Sequence, residues 1–305
     1  PDKKIILDRY LARTRGWEKA ELIHPDEESH KVEIFQTNDM HGIIDLDSIL
    51  KGETFPADKL QDSLEQTLNY GLAVTMPEMV SAKVKGAPAQ GKKGYDLSHR
   101  FWQEGKDVHT EENIGIDTEG RFYKPDTPIL ILINGGGLLT PTQIRQAIND
   151  GLISGSAKYE KNEWDSLVKG LSNRELFGKP VPVYLIDDLI SGTKQAREHN
   201  SVIVMPYKQA QTATNGWVDK QTWINDPLVI ARAGGKEYIE DYFDRAHGTN
   251  NTLGNHHVYG GRDSSTPQGR VLYLYDTNYG LYGSNNLDNY GRFVGVVAEP
   301  PSARK

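Results

Sequence analysis

The chain has 305 residues, a formal net charge of −7 and no cysteine. The absence of cysteine excludes disulfide bonds, Cys-ligated zinc and thiol catalysis. The mild negative charge comes without any block of basic residues, which is atypical of nucleic-acid-binding proteins, and no nucleic-acid partner is expected.

The N-terminal region, residues 1–120, is predicted to be a mainly helical support region. Apolar residues from Ile5 to Trp17 have helical spacing, and a short strand is predicted at Val32 to Phe35. Further helices are predicted from Ala57 to Tyr70 and from Pro77 to Val84. The first residue is not Met, so we expect the natural N-terminus to lie upstream or to have been processed.

A change of composition separates this region from a second predicted domain, residues 121–305. Residues 85–93 are rich in Gly, Ala, Pro, Gln and Lys, and the chain stays polar as far as Asp126. An apolar run from Pro128 to Asn134 then predicts a buried strand. Thr140 and Pro141 are a favourable N-cap and first residue for a helix that is predicted to reach Leu152.

The rest of the chain predicts short strands, two helices and long loops. No apolar run is long enough to span a membrane, and no membrane insertion is expected. The predicted helices are residues 162–171 and 236–246, the predicted strands are residues 181–186, 201–205, 271–274 and 292–297, and the predicted long loop is residues 248–268.

The C-terminal segment has a restricted composition. From Tyr273 to Tyr290, every residue except Leu274, Leu281 and Leu287 is Tyr, Asn, Asp, Ser, Thr or Gly. Tyr provides rigid amphipathic contact area and the small polar residues provide adaptable hydrogen bonding, a composition typical of antibody-like binding surfaces. Plain loops, low-complexity tracts and hairpin turns are alternative interpretations of such a stretch.

The same set of residues has a meaning at the level of codons. Asn is encoded by AAY, and replacement of one or both adenines gives Tyr, Asp, Ser, Thr and Gly, among others. The segment, framed by Gln268 to Leu272 and by Gly291 to Val296, resembles the variable region of a diversity-generating retroelement. In these systems, a reverse transcriptase copies a template repeat into the gene with errors at adenines.

The order of predicted elements resembles the C-type lectin fold on which such variable proteins are built. The expected class is therefore α+β: a C-type lectin-like domain with long loops, preceded by the helical region, with the variable region near residues 270–292. The resemblance implies that Leu272, Leu274, Leu281 and Leu287 anchor the backbone. It implies that the ligand-binding residues are Tyr273, Tyr275, Asp276, Thr277, Asn278, Tyr279, Tyr282, Ser284, Asn285, Asn286, Asp288, Asn289 and Tyr290.

An enzymatic alternative comes from two other motifs. Asp39-Met40-His41-Gly42 resembles the first metal motif of calcineurin-like phosphoesterases and 5′-nucleotidases, and Gly254-Asn255-His256 resembles a later one. Two metal ions would then activate a water molecule for attack on phosphorus. The chain has no Gly-Asp dipeptide to supply the bridging carboxylate of that family, and His257 stands where the family has Glu or Asp. Local hydrogen bonding by Asp39 and His41 at the end of a strand is the simpler interpretation.

The sequence therefore predicts a non-enzymatic binding protein without a cofactor. The Glu-Pro-Asn and Trp-Asn-Asp motifs of calcium-dependent sugar-binding lectins are absent. The expected partner is a macromolecular ligand, a protein on a cell surface, and the expected location is the surface of a virion or a cell. The identity of the ligand is not encoded in these residues, because a diversified surface exists to change it.

Overall fold

The strands and helices are described from a computed structural model. The structure describes residues 31–36, 41–45, 58–70, 72–85, 108–121, 128–135, 138–151, 156–176, 178–246, 250–256, 267–274, 279–282, 287–288, 290–293 and 295–296. The helix predicted between Ile5 and Trp17 lies outside these residues.

The described strands are β1 (Lys31–Gln36), β2 (His41–Asp45), β3 (Asp58–Lys59), β4 (Leu72–Ala73), β5 (Val108–Asp117), β6 (Ile129–Asn134), β7 (Ser156–Lys158), β8 (Glu175–Leu176), β9 (Lys179–Pro180), β10 (Val183–Leu185), β11 (Ser201–Pro206), β12 (Gly216–Val218), β13 (Leu253–His256), β14 (Gln268–Leu274), β15 (Tyr279–Tyr282), β16 (Tyr290–Phe293) and β17 (Gly295–Val296). The described helices are α1 (Leu60–Tyr70), α2 (Met76–Lys85), α3 (Pro141–Asn149), α4 (Lys161–Ser172), α5 (Ile186–Ile190), α6 (Tyr207–Ala210), α7 (Lys220–Asn225), α8 (Pro227–Arg232) and α9 (Ile239–Ala246).

One large mixed sheet organises the molecule. Its strand order is β10-β11-β6-β5-β14-β15-β13-β12, and β3, β7 and β16 join it beside this path. The β10–β11, β13–β15 and β5–β16 pairs are parallel, whereas β5, β6, β11 and β14 pair antiparallel along the middle of the sheet. The C-terminal strands β14 and β15 thus lie inside the sheet, where neighbours on both sides fix their positions.

Helices pack on both faces of this sheet, as the alternation of β6 shows. Leu130 and Leu132 belong to one hydrophobic cluster, and Ile129, Ile131 and Ile133 belong to another. Successive residues of a strand point to opposite faces, so the two clusters occupy opposite sides of the sheet. We call the side of Leu130 and Leu132 the first face and the side of Ile131 the second face.

The two faces are covered differently. Residues of α2, α5, α7, α8 and α9 pack in the cluster on the first face. On the second face, α4 packs over β6 and β11, while α1 and α3 pack over β14 with Val271, Leu287 and Phe293. Thus β14 separates the first-face cluster from a second-face cluster that contains the C-terminal segment's own residues.

Strand β5 was not predicted, because it is a central strand that buries polar side chains. His109, Thr110, Glu111, Glu112 and Asn113 are all at most 3% exposed. A buried strand is usually recognised by apolar residues, whereas this one buries polar side chains, of which Glu111, Glu112 and Asn113 have hydrogen-bond partners far away in the chain. It pairs with β6 on one side and β14 on the other.

Elements from both sides of the predicted boundary at residues 120 and 121 contribute to the same sheet and clusters. Strand β5 precedes the boundary, and Leu60 and Leu64 of α1 pack with Leu287 and Phe293 of the C-terminal segment. The division into residues 1–120 and 121–305 remains a prediction.

The predicted helix after Thr140 is confirmed together with its cap. The Thr140 side chain accepts a hydrogen bond from the backbone N–H of Gln143, whose side chain bonds back to Thr140. Asp150 caps the C-terminal end and Gly151 adopts a positive φ of 73°. The helix therefore ends at Asn149 and not at the predicted Leu152, because Gly151 readily takes a left-handed conformation.

Other elements also have bounds that differ from the predicted ones. The strand predicted at residues 181–186 is shorter, because Ile186 begins α5. The helix predicted from residue 236 begins at Ile239, after Gly234 and Gly235, which both have positive φ. The long loop predicted at residues 248–268 contains β13, which pairs with β12 and β15. Strand β13 has only four residues, and a Leu-Gly-Asn-His sequence carries no apolar alternation.

The close packing of Gly115 on β5 gives a first testable prediction. A Cβ atom at Gly115 would lie 2.4 Å from Cζ2 of Trp164, a side chain on α4 that is only 3% exposed. We expect Gly115→Ala to lower the free energy of unfolding by about 1–3 kcal/mol, because the buried indole cannot move aside. Urea denaturation measures this change.

Trp164→Leu provides the control for that prediction. In a Trp164→Leu background, Gly115→Ala should lower the stability less than it does in the native chain, because the ring that it meets is gone. An equal loss in both backgrounds would show that the indole is not the obstacle.

Candidate recognition surface

The C-terminal segment forms a strand pair followed by a return strand. Strands β14 and β15 pair antiparallel, with Tyr273 opposite Tyr282 and Leu274 opposite Leu281. Strand β16 then runs parallel to β5, with Phe293 opposite His109. Among the predicted ligand-binding residues, Tyr273, Tyr279, Tyr282 and Tyr290 lie on these strands, and Asp288 lies in an exposed turn before β16. The others, Tyr275, Asp276, Thr277, Asn278, Ser284, Asn285, Asn286 and Asn289, lie outside the described residues.

The structure describes the side chains of three of the four predicted leucine anchors, and all three are buried. Leu272 and Leu281 are at most 1% exposed and pack in the first-face cluster. Leu287 has no exposed surface and packs on the second face beside Leu60, Leu64 and Phe293. Burial of a leucine contributes roughly 1.5–3 kcal/mol, so the three side chains hold the backbone of the segment to two separate cores.

An extra residue in β15 determines on which face of the sheet each position of this strand lies. Strand β13 runs parallel to β15, with Gly254 opposite Tyr279 and His256 opposite Tyr282. Two steps along β13 therefore correspond to three steps along β15, which is the signature of a β-bulge. Without the bulge, Tyr279 and Leu281 would fall on the same face, because they are two residues apart.

The register places six positions on the second face of the sheet. Trp217 lies opposite Gly254, which lies opposite Tyr279. His256 and Tyr273 both lie opposite Tyr282. Paired positions on neighbouring strands share a face, as do positions two residues apart in a regular strand. The six positions are 217, 254, 256, 273, 279 and 282, and the buried Val218, Leu253, Leu272 and Leu281 belong to the opposite face.

The return strand is fastened to residues from the N-terminal region. Lys59 Nζ donates a hydrogen bond to the backbone carbonyl of Asp288 over 3.1 Å. The backbone N–H of Phe293 donates to Oγ of Ser63 over 3.0 Å. In addition, β3 pairs with β16, with Lys59 opposite Tyr290. The far end of the C-terminal segment is therefore held by α1 and by the residues directly before it.

A buried ion pair lies next to the strand that enters the segment. Arg232 Nε and Nη2 donate to the two carboxylate oxygens of Glu112 over 2.7 and 2.9 Å, and neither side chain has exposed surface. Glu112 lies on β5, directly opposite Arg270 of β14. Paired carboxylate and guanidinium groups with two hydrogen bonds fix relative orientation strongly. The pair thus ties α8 to the sheet beside β14.

Other polar side chains of β5 and β14 also have internal hydrogen-bond partners. Glu111 Oε2 accepts a hydrogen bond from the backbone N–H of Leu139 over 3.2 Å. The Tyr159 hydroxyl donates to Oδ1 of Asn113, and burial raises the pKa of Tyr159 well above its ordinary value, so the phenol stays neutral. Arg270 Nε and Nη2 donate to Oε1 of Gln268 over 3.2 and 3.0 Å. These bonds provide partners for buried polar groups beneath the segment and involve residues that were not singled out from the sequence.

The two motifs of the enzymatic alternative lie in different sheets. Asp39 and Met40 are outside the described residues, His41 and Gly42 belong to β2, and β1 and β2 form a sheet of their own. Gly254, Asn255 and His256 belong to β13 in the main sheet. Within the described part of the chain, no group of three or more His, Cys, Asp and Glu side chains is placed to hold a metal ion. The phosphoesterase hypothesis therefore has no support from the described residues.

The Trp-Ile-Asn-Asp sequence at residues 223–226 serves the fold. Trp223 is 1% exposed, and Asp226 caps α8 by accepting hydrogen bonds from the backbone N–H groups of Leu228 and Val229. Asp226 Oδ2 also accepts from Thr214. Capping and packing thus give these residues a structural role.

Comparisons with known proteins agree with this architecture at the level of the fold. No family model and no curated protein matches the chain. A solved structure described as "Accommodation of massive sequence variation in Nanoarchaeota by the C-type lectin fold" is similar to this chain, with a TM-score of 0.51 and 20% identity. The similarity covers 90% of this chain and 100% of that chain. The chain thus has the C-type lectin fold, as predicted.

None of the described helices combines the length and the apolar character that crossing a bilayer requires.

Proposed function

We propose that this chain is a ligand-binding protein that displays a variable Tyr- and Asn-rich surface on the C-type lectin fold. The surface consists of the thirteen predicted residues from Tyr273 to Tyr290. The observation that carries the proposal is the bulged register of β15, which assigns Tyr273, Tyr279 and Tyr282 to one face while Leu272 and Leu281 are buried on the other. Tyrosines collected on one face, framed by buried leucines, suit a contact surface.

The energetics favour a surface whose residues can change. Substitutions away from buried or strained positions usually alter stability by no more than about 0.5 kcal/mol. When such residues become buried against a partner, the best-packed aromatic ones can contribute about 2 kcal/mol or more each to binding. The fold is therefore maintained by one set of residues, and binding is determined by another.

We further propose that adenine-directed copying from a retroelement diversifies this surface. The composition of the segment supports this idea, because its polar residues are Asn and the products of replacing Asn adenines. The similar Nanoarchaeota structure concerns massive sequence variation on the same fold, which is consistent with the proposal. The partner would be a macromolecule, a protein on a cell surface, and the chain would act without catalysis at the surface of a virion or a cell. Residues 1–120 would then support a binding domain of residues 121–305.

A display library tests the binding proposal. The thirteen positions are varied among Tyr, Asn, Asp, Ser, Thr and Gly on the intact chain, and the library is selected against egg-white lysozyme, a basic protein, and against α-lactalbumin, an acidic one. We expect most members to remain folded and protease-resistant, and some to bind a target with affinities that depend on the varied residues.

A matched library varies Leu272, Leu281 and Leu287 among the same six residues and is expected to yield no folded members. If most members of the first library unfold, or if none binds either target, the proposed recognition surface is wrong.

The gene itself tests the diversification proposal. A near-copy of the 3′ segment that differs at template adenines, next to a reverse transcriptase gene, is the expected finding. A gene neighbourhood without such a copy would leave a binding surface of fixed sequence and would overturn the retroelement mechanism only.

A further inference from the structure

We propose that Trp217 is a constant contact residue of the recognition surface and that it packs against an Arg or Lys side chain of the protein ligand. This inference rests on the proposed function and extends the contact surface beyond the C-terminal segment. Trp217 lies on β12, more than fifty residues before Tyr273. Strand β12 stands at one end of the strand order of the main sheet.

The position of Trp217 follows from the strand register. It lies opposite Gly254 on β13, and Gly254 lies opposite Tyr279 on β15. Neighbouring strands are about 4.8 Å apart, so two strand spacings place Trp217 roughly 10 Å from Tyr279. One side of an ordinary protein interface covers about 800 Å², which readily includes both positions. Gly254 has no side chain to stand between them.

Trp217 is exposed although its strand is well held. Its neighbour Val218 is 8% exposed and packs in the first-face cluster, opposite Leu253, which is fully buried. The Trp217 side chain is 55% exposed on the other face. Single exposed apolar residues are common, so exposure alone decides nothing. What connects Trp217 to a contact surface is its position on the same face of the sheet as Tyr279, two strands away.

The charge of Asp219, two residues after Trp217, indicates which partner group Trp217 accepts. Asp219 is exposed, and its pKa is lowered because the backbone N–H of Thr222 donates to its carboxylate. Lys220 Nζ lies 2.9 Å from Glu240 and 2.8 Å from Asp244, so one ammonium group is shared by two carboxylates. The Lys220 charge is thus balanced by two carboxylates of α9, and the Asp219 carboxylate, two residues after Trp217 in the chain, is left to favour a cation from the partner.

The indole itself favours the same kind of partner. The face of a Trp ring carries negative charge density and attracts a guanidinium or ammonium group within about 6 Å of its centroid. The Asp219 carboxylate strengthens this preference and opposes an anionic partner. A protein surface that presents Arg or Lys therefore suits Trp217 better than an acidic one.

The binders selected from the library against lysozyme and α-lactalbumin test this inference. Trp217→Leu, Trp217→Phe and Leu185→Ala are each introduced into several lysozyme binders that differ at the varied positions. We expect Trp217→Leu to raise Kd about 10- to 30-fold in each of these binders, which is the loss of affinity expected for a contact hot spot. Trp217→Phe should lose less, because it retains an aromatic face. Leu185 is the other exposed large hydrophobic residue among the described ones, on β10 at the other end of the strand order, and Leu185→Ala should leave Kd unchanged.

The outcomes separate this inference from the proposed function. Thermal unfolding of each variant checks that the fold is intact, and an exposed substitution is expected to change it little. Unchanged Kd values in Trp217→Leu would overturn the inference while leaving the recognition surface in place. Equal losses in Trp217→Leu and Trp217→Phe, or equal losses for α-lactalbumin binders, would overturn the cationic partner. A library without any binder would refute the proposed function itself.

Discussion

Arg232→Met is expected to lower the free energy of unfolding by about 3–5 kcal/mol, because it leaves the Glu112 carboxylate buried without its partner. Both side chains of this pair are completely buried, and two hydrogen bonds join them. A charge that neither water nor a partner stabilises is among the most destabilising features a protein interior can contain. Urea denaturation followed by circular dichroism measures the loss.

Arg145→Met is the matched control. Arg145 also contacts two carboxylates, Asp62 and Glu65, but all three side chains are more than 40% exposed. Exposed ion pairs typically contribute about 0–1 kcal/mol, so the control should remain close to the native stability. The double variant Glu112→Leu/Arg232→Met should recover much of the loss, because it removes both charges together. Equal stability of Arg232→Met and Arg145→Met would show that the buried pair is not a major contribution.

Leu287→Asp is expected to abolish folding, and replacement of the next residue is expected to be tolerated. Leu287 is completely buried with Leu60, Leu64, Val271 and Phe293. Even Leu287→Ala should lower the free energy of unfolding by about 2–5 kcal/mol, and an aspartate there adds a buried charge. Loss of the far-ultraviolet circular dichroism spectrum and of the cooperative thermal transition would report the unfolding. We expect the same of Leu281→Asp.

Asp288→Ala is the neighbouring control for this prediction. Asp288 is exposed, and the hydrogen bond from Lys59 goes to its backbone carbonyl, which alanine retains. We therefore expect a change within about 0.5 kcal/mol. Tyr279→Ala and Asn285→Ala, at two candidate binding positions, are likewise expected to leave the melting temperature nearly unchanged. If these variants melted far below the native chain, the separation between anchors and contact residues would be wrong.

Local signals were enough to predict the elements that carry them. The apolar run of β6 and the Thr140 and Pro141 cap of α3 are properties of adjacent residues, and the structure confirms both. The leucines at 281 and 287 interrupt a polar segment, the resemblance to variable proteins implied that they are anchors, and both are buried. The fold class itself was predicted from the resemblance of the element order and of the C-terminal segment to variable proteins built on the C-type lectin fold.

Features that depend on distant partners could not be predicted. Glu112 looks like a surface residue until Arg232, 120 positions later in the chain, is placed beside it. The bulge in β15 exists only in relation to β13, so no pattern within residues 279–282 reveals it. Trp217 was missed for the same reason, because an exposed Trp on a three-residue strand becomes informative only when its sheet neighbours are known.

The two ends of the C-terminal segment are fastened independently, since β14 is paired with β5 while β16 is tied to Lys59 and Ser63. Rewriting the residues between these attachments therefore need not be accompanied by compensating mutations elsewhere in the gene. Under the proposed diversification, sequence change would be confined to one short stretch of DNA, and an unchanged scaffold would present each new surface. A lineage that carries such a gene could explore many partners without risking the fold on which all of them depend.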